Sequence, residues 1–346
     1  MTVQPPSKKM PTEALDRQLL ELLQERIKLI GTADVDAGEF AALGKLAASI
    51  ASEFGLPPDP LTSWLRHAHS ICLAQVPTKA SIAFLGPIYS YSYLAAVKYF
   101  GLGANLVPVR SIAAAFDAVR RGESKFAVVP IENSTDGRVV DTLGRFASSP
   151  VKICGEVLLP IHHCLLGMCP RAEVKEVHSK PQALSQCRHW LAERLPDVKQ
   201  VEVASTATAA ATAAEQSGVA AIASREAGIH HGLNVIDENI EDNQQNVTRF
   251  SVIGNAENEA TGNDKTSLMF QLQHEPGALA NAMVAFQASQ VNLTWIESFP
   301  LPNCPNEYLF FVELEGHRDS ESVSDALTAL EKHTRHLDVL GSFPKG

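Results

Sequence analysis

Apolar positions in the first part of the chain recur at helical spacing. Leu15, Leu19, Leu22, Leu23, Ile27 and Ile30 form one stripe, which breaks at Asp34 to Gly38. A second stripe, Phe40, Leu43, Leu46, Ile50 and Phe54, stops at Gly55-Leu-Pro-Pro58, and a third helix is expected over 60–74. Residues 12–76 therefore read as an all-helical unit whose apolar faces need a partner to cover them.

From Lys79 the pattern changes to short apolar runs that alternate with helix-like stretches of ~10 residues. Ser81-Ile-Ala-Phe-Leu85 reads as a strand, 93–100 as a helix, 104–109 as a strand, 111–121 as a helix and 125–130 as a strand. The alternation runs on to Phe250-Ser-Val-Ile253. This predicts an α/β unit over 79–255 with a mostly parallel sheet, and such sheets bind ligands where the carboxyl ends of strands lead into helices. Asn255 to Lys265 is polar and contains glycine, which predicts a linker. Residues 265–344 then predict βαββαβ, a ferredoxin-like order whose last strand is short, at 337–340.

Length and composition narrow the function. At 346 residues two or three domains are expected. A net charge of −10 excludes the basic face that nucleic acid requires, though not a small anion held by a local cluster of donors. Met1 to Pro11 carries Lys8 and Lys9 with no apolar run after them, unlike a signal peptide, and no stretch reaches the ~18 apolar residues of a membrane span. The six cysteines form no CxxC pair, and His162-His163-Cys164 reads as a strand end rather than a metal site. A cytoplasmic protein with free thiols, no metal and no cofactor is the expectation.

Four segments at predicted strand ends carry short polar groups. Gly86-Pro-Ile-Tyr-Ser-Tyr-Ser92 enters a helix, where Ser90 could meet a carboxylate or serve, like Ser92, as a plain N-cap. Glu132, Asn133, Ser134 and Thr135 directly follow an apolar strand. In Ser179-Lys-Pro-Gln-Ala-Leu-Ser-Gln186, Gln182 and Gln186 share one helix face. Asn246-Val-Thr-Arg-Phe250 offers Thr248 and Arg249, and the arginine suits either a substrate carboxylate or a salt bridge.

Taken in order, GPxxSYSxLAA, PIENSxxGxV, SxPQALxQC and NxTRFxVIG resemble the prephenate dehydratase family from Ser81 to Gly254. Pro276-Gly-Ala-Leu279, Asn292-Leu293 and Ile296-Glu-Ser298 resemble the phenylalanine-binding ACT domain that follows it. Leu15-Asp-Arg-Gln-Leu-Leu-Glu-Leu-Leu-Gln-Glu-Arg26 resembles the first helix of the chorismate mutase domain fused ahead of it in bifunctional P-proteins. The resemblance implies a two-lobed, periplasmic-binding-protein-like catalytic domain. It implies Thr248 as the acid that expels the ring hydroxyl of prephenate, with Asn133, Ser179, Gln186 and Glu132 around it. Ser90, Ser134, Gln182 and Arg249 would bind substrate, and Arg249→Lys should then weaken binding more than turnover. Gly277, Ala278, Leu279, Asn292, Leu293, Glu297 and Ser298 would bind L-phenylalanine as effector.

The chain departs from that pattern at four places. Tyr89 stands where the first motif has glycine, and since a bulky residue resists φ > 0 the loop is expected to shift. Lys180 replaces histidine in the third motif, and Phe299 replaces the arginine of Glu-Ser-Arg-Pro. In the mutase-like unit only Arg26 matches a chorismate-binding residue. The loop lysine falls at about Ala37, the Arg-Glu pair has no counterpart in 40–49, and Gln75 could be the terminal glutamine. Chorismate is a dianion that needs several cations, so this unit reads as degenerate, left to hold a homodimer or larger assembly together. A decarboxylase that does not eliminate water, and a catalytically dead prephenate or phenylalanine sensor, are the competing readings.

Overall fold

The computed structural model describes residues 12–30, 37–75, 80–301 and 307–346. Met1 to Pro11, Asp34 and Cys304 lie outside them. The expected helices form as α1 (Thr12–Ile30), α2 (Ala37–Phe54) and α3 (Pro58–Leu73), the last with proline in its first turn, where no N–H is needed. Phe40 of α2 packs on His69 of α3 and on Tyr99 and Phe100 of α4 (Tyr91–Phe100), so the helical segment shares a core with the first α/β layer. α1 buries none of its side chains, and Leu15, Leu22 and Leu29 face outward.

The α/β part of the chain builds two mixed sheets. In the first, β1 (Ser81–Leu85) lies between β2 (Asn105–Val109) and β3 (Phe126–Asn133), parallel to both. β3 hairpins into β4 (Gly137–Arg138) and pairs antiparallel with β11 (Val247–Gly254), which pairs antiparallel with β5 (Lys152–Pro160). In the second, β7 (Glu176–Ser179) lies parallel to β8 (Lys199–Glu202) and β9 (Val219–Ala223), while β6 (Cys164–Gly167) runs antiparallel to β9 and β10 (Asn234–Asp237). The expectation of a mostly parallel sheet is therefore corrected. The chain crosses from the first sheet to the second after β5 and returns before β11, and the strands beside those crossings run against their neighbours.

Helices cover both sheets: α5 (Ile112–Arg120) and α6 (Val140–Phe146) on the first, α7 (Pro181–Gln186), α8 (Arg188–Arg194), α9 (Thr206–Glu215) and α10 (Arg225–His230) on the second. Ser90, Ser111, Ser205 and Ser224 cap α4, α5, α9 and α10 by accepting from backbone N–H groups.

The third sheet has the order β13 (Leu293–Pro300), β14 (Tyr308–Glu315), β12 (Asp264–Leu272), β15 (Thr334–Pro344), all antiparallel. Its two-residue alternation sorts the core. Leu268, Phe270, Val312 and Leu314 face α11 (Ala278–Ala288) and α12 (Glu321–Glu331). Met269, Phe299, Phe311 and Phe343 face the first sheet and merge with Ile112, Leu143 and Ile153. The segment read as a linker is docked rather than free, because Asn258 is buried and donates to the carbonyls of Cys154 and Ser342, each at 2.9 Å. Among the described residues no helix is long and apolar enough to cross a membrane.

Candidate active site between the first two sheets

Thr248 pairs with Asn133 across β11 and β3, and Arg249 pairs with Glu132. Strand alternation puts the first pair on one face of the sheet and the second pair on the other. Asn133 is held completely. Its Oδ1 accepts from the N–H groups of Thr135 and Asp136, each at 3.0 Å, and its Nδ2 donates to Asn246 Oδ1 at 2.7 Å and Thr248 Oγ1 at 2.8 Å. Because Thr248 accepts that bond, its own O–H remains available to donate, and an accepted bond polarises the hydroxyl for donation. Ser134 stitches the same turn to the returning chain, accepting from Val247 N at 2.9 Å and donating to Gln245 O at 3.3 Å.

The second sheet faces this pair through α7. Gln186 donates to Asp136 Oδ2 at 2.6 Å, and Gln182 donates to the same oxygen. Gln186 Oε1 lies 2.9 Å from His163 Nε2, and His163 Nδ1 lies 3.0 Å from the Tyr91 hydroxyl. Burial holds His163 below its ordinary pKa, hence neutral. The Nε2–H tautomer donates to Gln186, while the single Tyr91 proton goes to the His162 carbonyl at 2.6 Å and leaves the phenol oxygen beside Nδ1. Burial also drives the Tyr91 phenol well above its usual range, so it stays a donor. Glu241 accepts from the His163 backbone N–H at 2.8 Å and pairs with His162 Nδ1 at 2.8 Å. Asp136, His163, Tyr91 and Glu241 escape sequence reasoning because they come from four separate segments. His163, expected to be incidental, is a buried bridge at the crossover.

The remaining expected residues divide. Ser179 is fully buried and donates to Ile222 O at 2.7 Å. Ser90 caps α4, donating to Leu85 O at 2.9 Å and accepting from Tyr93 N. Tyr89 adopts the left-handed conformation that a bulky residue was expected to resist, φ 64°, with its ring stacked on His230 at 4.1 Å and tilted against Tyr93 at 5.1 Å.

Arg249 and Glu132 lie on the face of the first sheet opposite Thr248 and Asn133, away from the side expected for substrate binding. Arg249 is buried there. Its Nη1 bonds Glu313 at 2.5 Å and lies 3.7 Å from Glu156, its Nε bonds Glu132 at 3.2 Å, and its guanidinium lies 5.0 Å from the centre of the Trp295 ring. Burial would lower its pKa, but Glu313, Glu156 and Glu132 outweigh it and hold the charge. Burial raises Glu313 despite the arginine beside it.

A family model for prephenate dehydratase matches residues 82–258. A bifunctional chorismate mutase/prephenate dehydratase of Aquifex aeolicus is 38% identical over 96% of this chain and 96% of its own length. The chain belongs to the prephenate dehydratase family. A second bifunctional relative, from Neisseria gonorrhoeae, is 36% identical and also covers 96% of the chain. Among solved structures, a prephenate dehydratase of Arthrobacter aurescens in complex with L-Phe has TM-score 0.72 and 33% identity, covering 77% of this chain and 90% of its own. A protein described as a novel type of quorum quenching acylase, GqqA, has TM-score 0.70 and 29% identity, covering 77% of this chain and 98% of its own.

The flanking segments hold the remaining expected residues. Gly277 takes φ 85° at the start of α11, followed by Ala278 and Leu279. Strand β14 shows where the other expected effector residues lie. Its Leu309 end sits between Gln271 and Phe299, beside Glu297 and Ser298, whereas its Glu315 end meets Lys265 and accepts from Asn292, next to Leu293. Leu293, Glu297 and Ser298 therefore run along β13 with Asn292 just before it, while Gly277, Ala278 and Leu279 lie at the start of α11. Glu297 is bound to Arg138 of β4 at 2.7 Å, and Phe299 is buried against Phe311. In the helical segment, Arg26 donates to His69 Nδ1 at 3.1 Å, while Arg66 lies 4.6 Å from the Tyr99 ring centre.

Proposed function

We propose that the protein converts prephenate to phenylpyruvate in the cleft between the first two sheets, as a step of L-phenylalanine biosynthesis. The C–CO2 bond breaks, its electron pair enters the ring, and the ring hydroxyl leaves with its own pair. One proton is taken up, so the products are phenylpyruvate, carbon dioxide and water. Thr248 supplies the hydrogen bond that becomes this proton transfer. A threonine hydroxyl is a weak acid, so orientation must contribute much of the barrier reduction. The observation that carries the reading is the Asn133 carboxamide, fixed by two backbone N–H groups and donating to Thr248 Oγ1. Gln182 and Gln186 supply amides from the facing sheet once Asp136 yields them, and no group here requires metal or cofactor. An acylase reading is disfavoured, because Ser90 and Ser179 both donate to carbonyls instead of to a base.

The proposed organisation is a degenerate chorismate mutase-like unit over 12–76, a two-lobed binding-protein-like dehydratase domain over 79–255 and an ACT domain over 265–344. Arg26, spent on the buried His69, supports degeneracy. The protein is proposed to be cytoplasmic and to bind L-phenylalanine, and the exposed leucines of α1 support a homodimer or larger assembly. The test is phenylpyruvate absorbance in alkali after incubation with prephenate. Thr248→Ala should lower kcat by about 10²–10⁴-fold, as loss of a general acid does. A non-aromatic product would indicate the decarboxylase, and binding without turnover the sensor. Parallel assay with chorismate reports on the helical unit.

A further inference from the structure

β3 carries one extra residue, Ile131, opposite the step from Arg249 to Phe250 of β11, so the Thr248–Asn133 pair lies beyond a bulge in β3. Bulged strands twist and re-aim their side chains unless something holds them. What holds this one comes from the third sheet. Glu313 of β14 grips Arg249 at 2.5 Å, and Trp295 of β13 covers the guanidinium. Glu132, the residue before Asn133, takes Arg249 Nε at 3.2 Å. Glu156 of β5 is tied to Lys265 of β12 at 2.9 Å, completing a cluster of three carboxylates and two cations. Arg249 and Glu313 are both almost wholly buried, and Arg249 Nη2 has no hydrogen-bond partner. The cluster thus grips the residue after Thr248 and the residue before Asn133, on the face opposite the cleft.

We infer that Arg249 and Glu313 are positioning residues through which the third sheet sets the aim of Thr248 Oγ1, and with it the turnover number. This rests on the dehydratase reading above. The residues touch no substrate, so they act on kcat through Thr248 and leave substrate affinity alone. A misplacement of ~1 Å in a reacting group can lower a rate by about 10²-fold, which sets the scale expected.

Removing one member alone leaves a buried unpaired charge and risks unfolding, whereas an apolar pair of similar volume is usually tolerated. The test therefore uses the intact chain with the double substitution Arg249→Met, Glu313→Leu, alongside Glu313→Asp. In the double variant kcat should fall about 10–100-fold while KM for prephenate stays within about threefold. Amide hydrogen exchange at Val247 to Arg249 should rise about tenfold or more, with α4 unchanged. Glu313→Asp, which keeps the charge, should fall between the two. A folded double variant with wild-type kcat overturns the inference, and so does a rise in KM alone, which would make Arg249 a substrate ligand. If the wild-type protein does not turn over prephenate, the functional reading fails by itself. Exchange at Val247 to Arg249 then decides the positioning role, unchanged exchange overturning it.

Discussion

At Tyr89 two local energies oppose each other. A left-handed tyrosine costs roughly 1–2 kcal/mol, and a well-packed aromatic stack returns about 0.5–1.5 kcal/mol. Tyr89→Gly should therefore leave stability within about 1 kcal/mol, because glycine relieves the strain while losing the stack on His230. The stack also joins the first motif to α10 of the second sheet. Losing about 1 kcal/mol of preorganisation should raise KM for prephenate roughly three- to tenfold. Thermal denaturation and steady-state kinetics check both parts. From sequence, the tyrosine was visible as an oddity, but its solution was not, because His230 lies far along the chain. The same limit applies to Arg249 and Glu132. Strand alternation says that they oppose Thr248 and Asn133, but not which face another sheet will cover.

The β3–β4 turn and helix α7 meet across the cleft through one carboxylate. Asp136 draws both Gln182 and Gln186 toward itself, and it places negative charge where a dianion must enter. Asp136→Asn keeps an acceptor for those amides and removes the charge. KM for prephenate should fall about three- to tenfold at low ionic strength and less in about 0.5 M salt, as screening of a Coulomb repulsion requires. A rise in KM would instead show that Asp136 orients Gln186 for catalysis. Helix and strand periods were readable at this scale, since β1, β2 and α5 lie within a residue of their expected bounds. The mixed sheets were not, because strand direction is set by where the chain crosses between sheets, which periodicity does not record.

Across the whole molecule, the first sheet is enclosed between the helical segment and the third sheet, and its two cores mix with both. The helical side brings a pH dependence. Burial, aided by Arg26, lowers His69 from 6.5 to about 4. Between those two values the unfolded chain binds more protons than the folded one, so stability falls as pH drops through this window. The loss approaches about 3 kcal/mol at the acid end. His69→Phe should flatten the slope of Tm against pH between 6.5 and about 4, and an unchanged slope would locate the dependence elsewhere.

One strand, β11, serves two sites that look in opposite directions. Point substitutions can test each face separately, but a change in length cannot. Deleting a single residue between Asn246 and Thr248 would turn the threonine into the ionic cluster and the arginine into the cleft. The approach to this strand should therefore accept substitutions far more readily than insertions or deletions, so that across related sequences its spacing is the more stringent constraint.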